Sequence, residues 1–370
     1  MRILQWAFPY FPAVGGRERF IQRLIDGLSV NGHDVSLVMA EPSAKNGIAP
    51  EVSGLDVFYI NPYFEIFPSK KVQADFQMDR LIEFVSDRKV ELIHFHNTSG
   101  TDVRILQRLK DALGIPVVLT LHGPLGLDWK GRINPAPPDN LVDTYVSISK
   151  FVHQASLDFL GSTEVEMNLV PNGVPIGPSY SSEIGRGFLY FGRISGEKGI
   201  PQLLAAFKLF ISLGHDTHLR IVGDGPDRSF VETVSVLLGI DDRVFFIDWL
   251  DADQLNAEIA ASRAVVVPSI WQEPFGLVAV EAMSQSRPVI YSRAGALPEI
   301  LGPDGTSGIG FDNGDIARLV SAMVELHLKP DMAKQMGITG RARVQKHYDF
   351  SRMLADYEGV FSKVVGLGGL

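Results

Sequence analysis

The sequence predicts an α/β protein made of two doubly wound, Rossmann-like domains that face a cleft. Three observations carry this. Short all-apolar runs such as Ala264-Val265-Val266-Val267 have the length and β-branched content of strands buried on both faces. Segments with apolar residues at helical spacing alternate with such runs, in two successive cycles. Between the cycles Pro171, Gly173, Pro175, Gly177, Pro178, Gly185 and Gly187 crowd together, the composition of a linker.

The first cycle opens with a strand over Arg2–Phe8. A helix follows at Gly16–Val30, where Phe20, Leu24 and Leu28 share one face. Strands are expected at Asp34–Ala40, Asp56–Ile60, Glu91–His96, Pro116–Leu121 and Thr144–Ile148, with helices near Val72–Arg88, Asp102–Leu113 and Lys150–Leu160. The second cycle alternates strand Phe188–Phe191, helix Pro201–Leu213, strand His218–Val222, helix Asp227–Leu238 and strand Val244–Ile247. It continues with strand Ala264–Val267, helix Phe275–Met283 and strand Pro288–Tyr291. Three helices, near Asp315–Leu328, Pro330–Lys346 and Phe350–Val364, end the chain. The expected organisation is a domain over 1–170, a linker over 171–187, a domain over 188–346 and a terminal helical segment over 347–370.

Composition excludes several classes. The 370 residues suffice for two full cores, and 45% hydrophobic with 21% charged residues is ordinary for a globular protein. No apolar stretch reaches the ~20 residues of a membrane span. No leader-like apolar region precedes the first strand, so a cytoplasmic location is the expectation. The chain has no cysteine, so disulfides, thiolate metal sites and a Cys nucleophile are excluded. A net charge of −9 argues against nucleic acid as a partner and against docking on anionic lipid.

Four segments fall at strand ends, where doubly wound sheets bind ligands. Glu273-Pro274-Phe275-Gly276-Leu277 leads to Glu281, with Pro274 expected in the first helical turn. The amides of Phe275, Gly276 and Leu277 are placed to hold a phosphate, and Glu281 to accept from sugar or ribose hydroxyls. Gly192-Arg193 with Glu197-Lys198-Gly199 sets two cations five apart around a glycine loop, a spacing that suits two phosphate groups but not a nucleoside-triphosphatase loop. Gly15-Gly16 opens the first helix without the G-x-G-x-x-G dinucleotide pattern. His122 follows a buried strand and is a candidate hydrogen-bond donor or general acid/base.

Three further features have plainer readings. His94 and His96 share one strand face, but H-x-H lacks a third metal ligand in the sequence, so packing or cleft-lining is expected. Asp251-Ala252-Asp253 matches a D-x-D metal motif but stands where a helix cap belongs. Gly223-Asp224-Gly225-Pro226 is a strand-to-helix turn in which Gly223 is a candidate ligand contact.

Together these segments resemble the retaining, nucleotide-sugar-dependent glycosyltransferases of the two-domain GT-B fold, family 4. Glu273 to Leu277 with Glu281 is the most specific part. Gly192-Arg193, Glu197-Lys198-Gly199, Val170-Pro171-Asn172-Gly173-Val174, Val222 to Pro226, and Gly295 to Glu299 extend the likeness, and Gly15-Gly16 and His122 agree in the first domain. The resemblance implies that Arg193 and Lys198 bind the donor diphosphate and Glu281 the ribose. It implies that Glu273 contacts the transferred sugar with the Phe275–Leu277 backbone, that Gly16 backs the phosphate and that His122 touches the reacting sugar. The implied reaction is metal-independent transfer from a nucleoside-diphosphate sugar to a hydroxyl of a small-molecule or glycan acceptor, with no cofactor. Asp248-Trp249 departs from the family, where many members carry a glycine. A nucleotide-sugar epimerase or hydrolase on the same fold, and a non-catalytic nucleotide-sugar-binding protein, are the alternatives. The final helix looks like the one that crosses back to the first domain in this fold.

Overall fold

The computed structural model describes residues 1–7, 16–40, 54–61, 68–96, 100–127, 133–134, 136–138, 140–161, 165–177 and 184–367. The chain divides into two compact units. One is Met1–Pro171 with Met353–Leu370, the other Asn172–Arg352.

The first unit contains strands β1 (Arg2–Ala7), β2 (Asp34–Ala40), β3 (Asp56–Ile60), β4 (Leu92–Phe95), β5 (Val117–Leu121), β6 (Gly126–Leu127), β7 (Ile133–Asn134), β8 (Thr144–Ser147) and β9 (Met167–Leu169). Its helices are α1 (Gly16–Val30), α2 (Lys71–Asp87), α3 (Gly100–Leu113) and α4 (Lys150–Leu160). Seven strands form one parallel sheet in the order β3-β2-β1-β4-β5-β8-β9, and β6 pairs antiparallel with β7. The strand order reverses between β1 and β4. In doubly wound sheets such a reversal is where ligands bind, at the carboxyl ends of the strands. Helix α1 buries Phe20, Leu24 and Leu28 as its spacing requires, each contributing about 1.5–3 kcal/mol of apolar burial. Helix α4 starts where Ser149 accepts from the Val152 amide at 3.1 Å and stops at Gly161, whose φ of 64° cannot continue a right-handed helix.

The second unit contains β10 (Phe188–Phe191), α5 (Ile200–Ser212), β11 (Leu219–Val222), α6 (Arg228–Leu237), β12 (Val244–Ile247), α7 (Ala252–Ala261), β13 (Ala264–Val267), α8 (Leu277–Ser284), β14 (Val289–Ser292), α9 (Leu297–Leu301), β15 (Gly308–Phe311), α10 (Ile316–Leu328) and α11 (Pro330–His347). Its parallel sheet runs β12-β11-β10-β13-β14-β15, with the reversal between β10 and β13. Phe188, Phe207 and Phe210 are fully buried at its core, and Phe188 meets Phe210 edge to face at 5.5 Å. The Pro/Gly-rich stretch is held on this unit where it is described. The Val174 amide donates to Tyr348 O, the Arg186 amide to Ala261 O, and Arg341 reaches Gly177 O. Residues 178–183 lie outside the described residues.

The last helix, α12 (Phe350–Leu367), begins in the second unit and clusters with the first from Met353 onward. There Tyr357 and Phe361 lie 5.4 and 5.0 Å from the His94 ring. Among the described residues no helix is long and apolar enough to cross a membrane.

Candidate active site

In the second unit, the loops after β10 and β13 converge on one carboxylate. Glu273 is buried, and its Oε1 accepts from three donors: Lys198 Nζ at 2.7 Å, Ser269 Oγ at 2.6 Å and Trp271 Nε1 at 2.9 Å. Burial raises its pKa, but the Lys198 charge and these hydrogen bonds outweigh burial and hold it below the usual carboxylate value. Lys198 Nζ also lies 5.0 Å from the Trp271 ring centre. The loop path that makes this possible depends on Gly295. Its φ is 60°, a Cβ there would run into the Glu273 backbone, and the next amide, Ala296, donates to Glu273 O at 2.8 Å.

Helix α8 corrects two expectations. It begins at Leu277, not Phe275, and Pro274 precedes it instead of sitting in its first turn. The cause is Gly276, whose φ of 96° is incompatible with a right-handed helix. Ala279 N–H already donates to Gly276 O at 2.9 Å, so the amides with no acceptor inside the helix are those of Leu277 and Val278. The Phe275 side chain is buried and meets Tyr348 edge to face at 5.8 Å, so only its backbone is available to a ligand. Glu281 lies in the second turn of α8, and its carbonyl accepts from Ser284 Oγ at 2.7 Å.

Arg193 stands two residues past β10 and is exposed, while its carbonyl accepts from Tyr190 OH at 2.6 Å. Burial, then Glu273 and Glu197, push the Tyr190 phenol well above its ordinary value, so it stays a neutral donor. Gly223 has a structural demand of its own: a Cβ there would collide with Gly192 O, so the turns after β10 and β11 pack backbone to backbone. Beside it, Arg228 donates to Gly223 O at 2.8 Å and to Asp248 Oδ1 at 2.7 Å, which fixes the departure at Asp248-Trp249 in an ion pair. Asp251 is a helix cap: its Oδ1 accepts from the Gln254 amide at 2.8 Å, and Gln254 Oε1 accepts in return from the Asp251 amide at 3.2 Å.

In the first unit, Gly16 is the exposed first residue of α1, while Gly15 lies outside the described residues. His122 follows β5 and stands 3.1 Å, Nε2 to Nδ1, from His96, whose Nε2 is 2.8 Å from Gln5 Oε1. His94 bonds Thr120 Oγ1 at 2.8 Å, and Thr120 meets Tyr357 OH at 3.1 Å. Burial lowers the His94 pKa to about 3, and burial with neighbouring positive charge lowers His96 and His122 well below 6.5. These rings are neutral near pH 7, so His122 offers a hydrogen bond and not a charge. Among the described residues no group of three or more His, Asp or Glu side chains is arranged to hold a metal ion. Asn97, the Phe8–Phe11 segment and residues 128–132 fall outside the described residues.

Sequence reasoning missed Ser269, Trp271 and Gln5. Ser269 and Trp271 flank Glu273 by four and two positions, which is the one signal that pointed to them; Gln5, a lone amide in an apolar strand, carried only its incongruity.

The Glycosyl transferases group 1 model matches residues 183–343, and the Glycosyltransferase Family 4 model matches residues 14–177. The chain is 24% identical over 416 residues to the MMP alpha-(1->4)-mannosyltransferase of Mycolicibacterium hassiacum, covering 99% of this chain and 98% of that one. Among solved structures, sucrose-phosphate synthase from Thermosynechococcus elongatus matches with a TM-score of 0.79 at 21% identity, covering 99% of both chains. Anabaena HepE in complex with UDP matches with a TM-score of 0.78 at 19% identity, over 98% of this chain and 100% of that one. The structural matches bear on the fold, which is GT-B, and the two family models account for one unit each. The chain belongs to the group 1, family 4 glycosyltransferases.

Proposed function

We propose that this glycosyltransferase moves a sugar from a nucleoside-diphosphate sugar to a hydroxyl acceptor, with retention at the anomeric carbon and without a metal or other cofactor. The observation that carries this is the Lys198–Glu273 pair at the β10/β13 strand reversal, a cation and an acid held together where such sheets bind ligands. Arg193 and Lys198 take the diphosphate, with the Leu277 and Val278 amides of α8 completing its cradle. Glu281 takes the ribose and Gly223 approaches the nucleotide. Glu273 takes the sugar, helped by the Phe275–Leu277 backbone. In the first unit, Gly16 backs the phosphate, His122 contacts the reacting sugar, and the acceptor is bound.

The bond from the anomeric carbon to the diphosphate oxygen breaks as the acceptor oxygen bonds to the same face. The acceptor proton leaves to the departing phosphate. Charge builds on that phosphate in the transition state, so cations already in place lower the barrier without reorganising. The complex of the structurally similar HepE with UDP supports a nucleotide donor. The acidic balance of the chain favours a small-molecule or glycan acceptor.

A panel of nucleotide sugars, each run with and without acceptor sugars in EDTA, tests the reading. Acceptor-dependent product with the donor's anomeric configuration is expected. An inverted anomer, turnover indifferent to acceptor, or activity abolished by EDTA and restored by a divalent ion would overturn it.

A further inference from the structure

The reaction proposed above uses one imidazole of the first unit, yet three are packed together. Gln5, in the middle of β1, is fully buried, and its Nε2 has no hydrogen-bond partner among the described residues. A buried amide with one arm unpaired is costly, and an apolar residue would fill a parallel strand without that penalty. Its other arm is the informative one, because Oε1 lies 2.8 Å from His96 Nε2.

We propose that Gln5 and His96 are positioning residues that fix the tautomer of His122. The Gln5 carbonyl can only accept, so His96 carries its proton on Nε2 across the 2.8 Å contact. A neutral imidazole has one N–H, so His96 Nδ1 is left with a lone pair. That lone pair faces His122 Nε2 at 3.1 Å, and His122 Nε2 must therefore be the donor. His122 Nδ1 is then an acceptor. It takes a hydrogen bond from a hydroxyl of the transferred sugar instead of giving one.

The surroundings keep this arrangement in place. Phe20 closes on His122 and His96 with ring centres at 5.1 and 6.1 Å. His94 lies tilted against His96 with ring centres 4.0 Å apart, but its Nε2 pairs with Thr120, which in turn meets Tyr357, a separate line. Burial, with the Arg17 charge adding to it, disfavours a second proton on either His96 or His122. Exchange of the His96 proton between its nitrogens is blocked as long as Gln5 Oε1 faces Nε2.

The inference rests on the reading that His122 contacts the sugar, and the test separates the two. Histidine-selective nitrogen-15 NMR on the full chain reads the His122 tautomer directly, with the signal assigned by its loss in His122→Ala. Wild type is expected to show Nε2–H with a bare Nδ1. Gln5→Leu should give a tautomer mixture and lower kcat by about tenfold, with donor KM changed by less than about twofold. His96→Asn places an amide oxygen where Nδ1 stood, so it should keep the wild-type tautomer and most of kcat, whereas His96→Phe should lose both. In a His122→Ala background, Gln5→Leu should cost nothing further. An Nδ1–H signal for His122 in the wild type, or an undiminished Gln5→Leu effect in the His122→Ala background, would overturn the proposal. Wild-type turnover by His122→Ala would instead remove the sugar-contact reading, and the spectrum would still decide the tautomer.

Discussion

The Glu273 loop of the second unit and the histidine strand ends of the first both bury titratable groups, and they solve the burial problem in opposite ways. Glu273 stays charged because a cation and two neutral donors meet one of its oxygens. The histidines stay uncharged because burial disfavours the second proton, while a hydroxyl meets His94 Nε2, an amide oxygen meets His96 Nε2, and His96 and His122 meet each other. Charge compensation suits a place where negative charge must arrive and leave. A neutral network suits a place where orientation matters and a stray charge would compete. The division matches the reading that the diphosphate belongs to the second unit and the hydroxyl contacts to the first.

The largest expected effect breaks the charged region. Lys198→Ala removes the ammonium from the leaving group and leaves Glu273 buried without its cation. It should lower kcat by about 10²-fold or more, measured in steady-state transfer assays. A rate near wild type would end the case for charge at this loop.

Stability against pH sharpens the contrast. Unfolded histidines titrate near 6.5, whereas buried His94 holds off its proton to about 3. Below pH 6.5 the unfolded chain therefore binds more protons, and stability falls as pH drops. Glu273 acts lower down. Its folded pKa is depressed below 4.5, so its contribution is present above 4.5 and is lost as pH falls through the folded value. Denaturant unfolding between pH 6.5 and 5 should show a slope that His94→Gln reduces by about 1 kcal/mol per pH unit. Glu273→Gln should leave the slope in that window unchanged. Equal slopes in wild type and His94→Gln would contradict neutral burial.

A smaller effect tests a residue that belongs to neither region. Asp251→Ala removes the cap of α7 and should lower stability by about 1 kcal/mol, read as a shift in the denaturation midpoint, with kcat unchanged. A loss of activity with stability intact would return Asp251 to a chemical role.

Much of the fold was legible because strands read as short apolar runs: fully buried Ala264–Val267 and the edge strand Val244–Ile247, of which only Val244 is buried, both have the bounds the sequence suggests. What escaped depends on tertiary pairing. The three-residue β9 has little pattern of its own and is an edge strand recruited by β8. Strand β15, Gly308-Ile309-Gly310-Phe311, carries two glycines that read as turn, yet it is buried at the sheet edge under α10 and α11. Glu273 and Lys198 were visible through their motifs. Their direct contact was not, because it depends on a loop path set by Gly295, twenty-two positions beyond Glu273. The start of α8 was misplaced by two residues because Gly276 reads as a helix-tolerated glycine until its positive φ is known.

The most direct test of the central claim is calorimetric titration of the nucleoside diphosphate into wild type, Arg193→Ala, Lys198→Ala and His122→Ala. The account predicts that each cation variant loses about 1.5–3 kcal/mol of binding, the worth of a charged hydrogen bond, while His122→Ala binds as wild type does. Wild-type affinity in both cation variants, or a loss in His122→Ala equal to theirs, would contradict it.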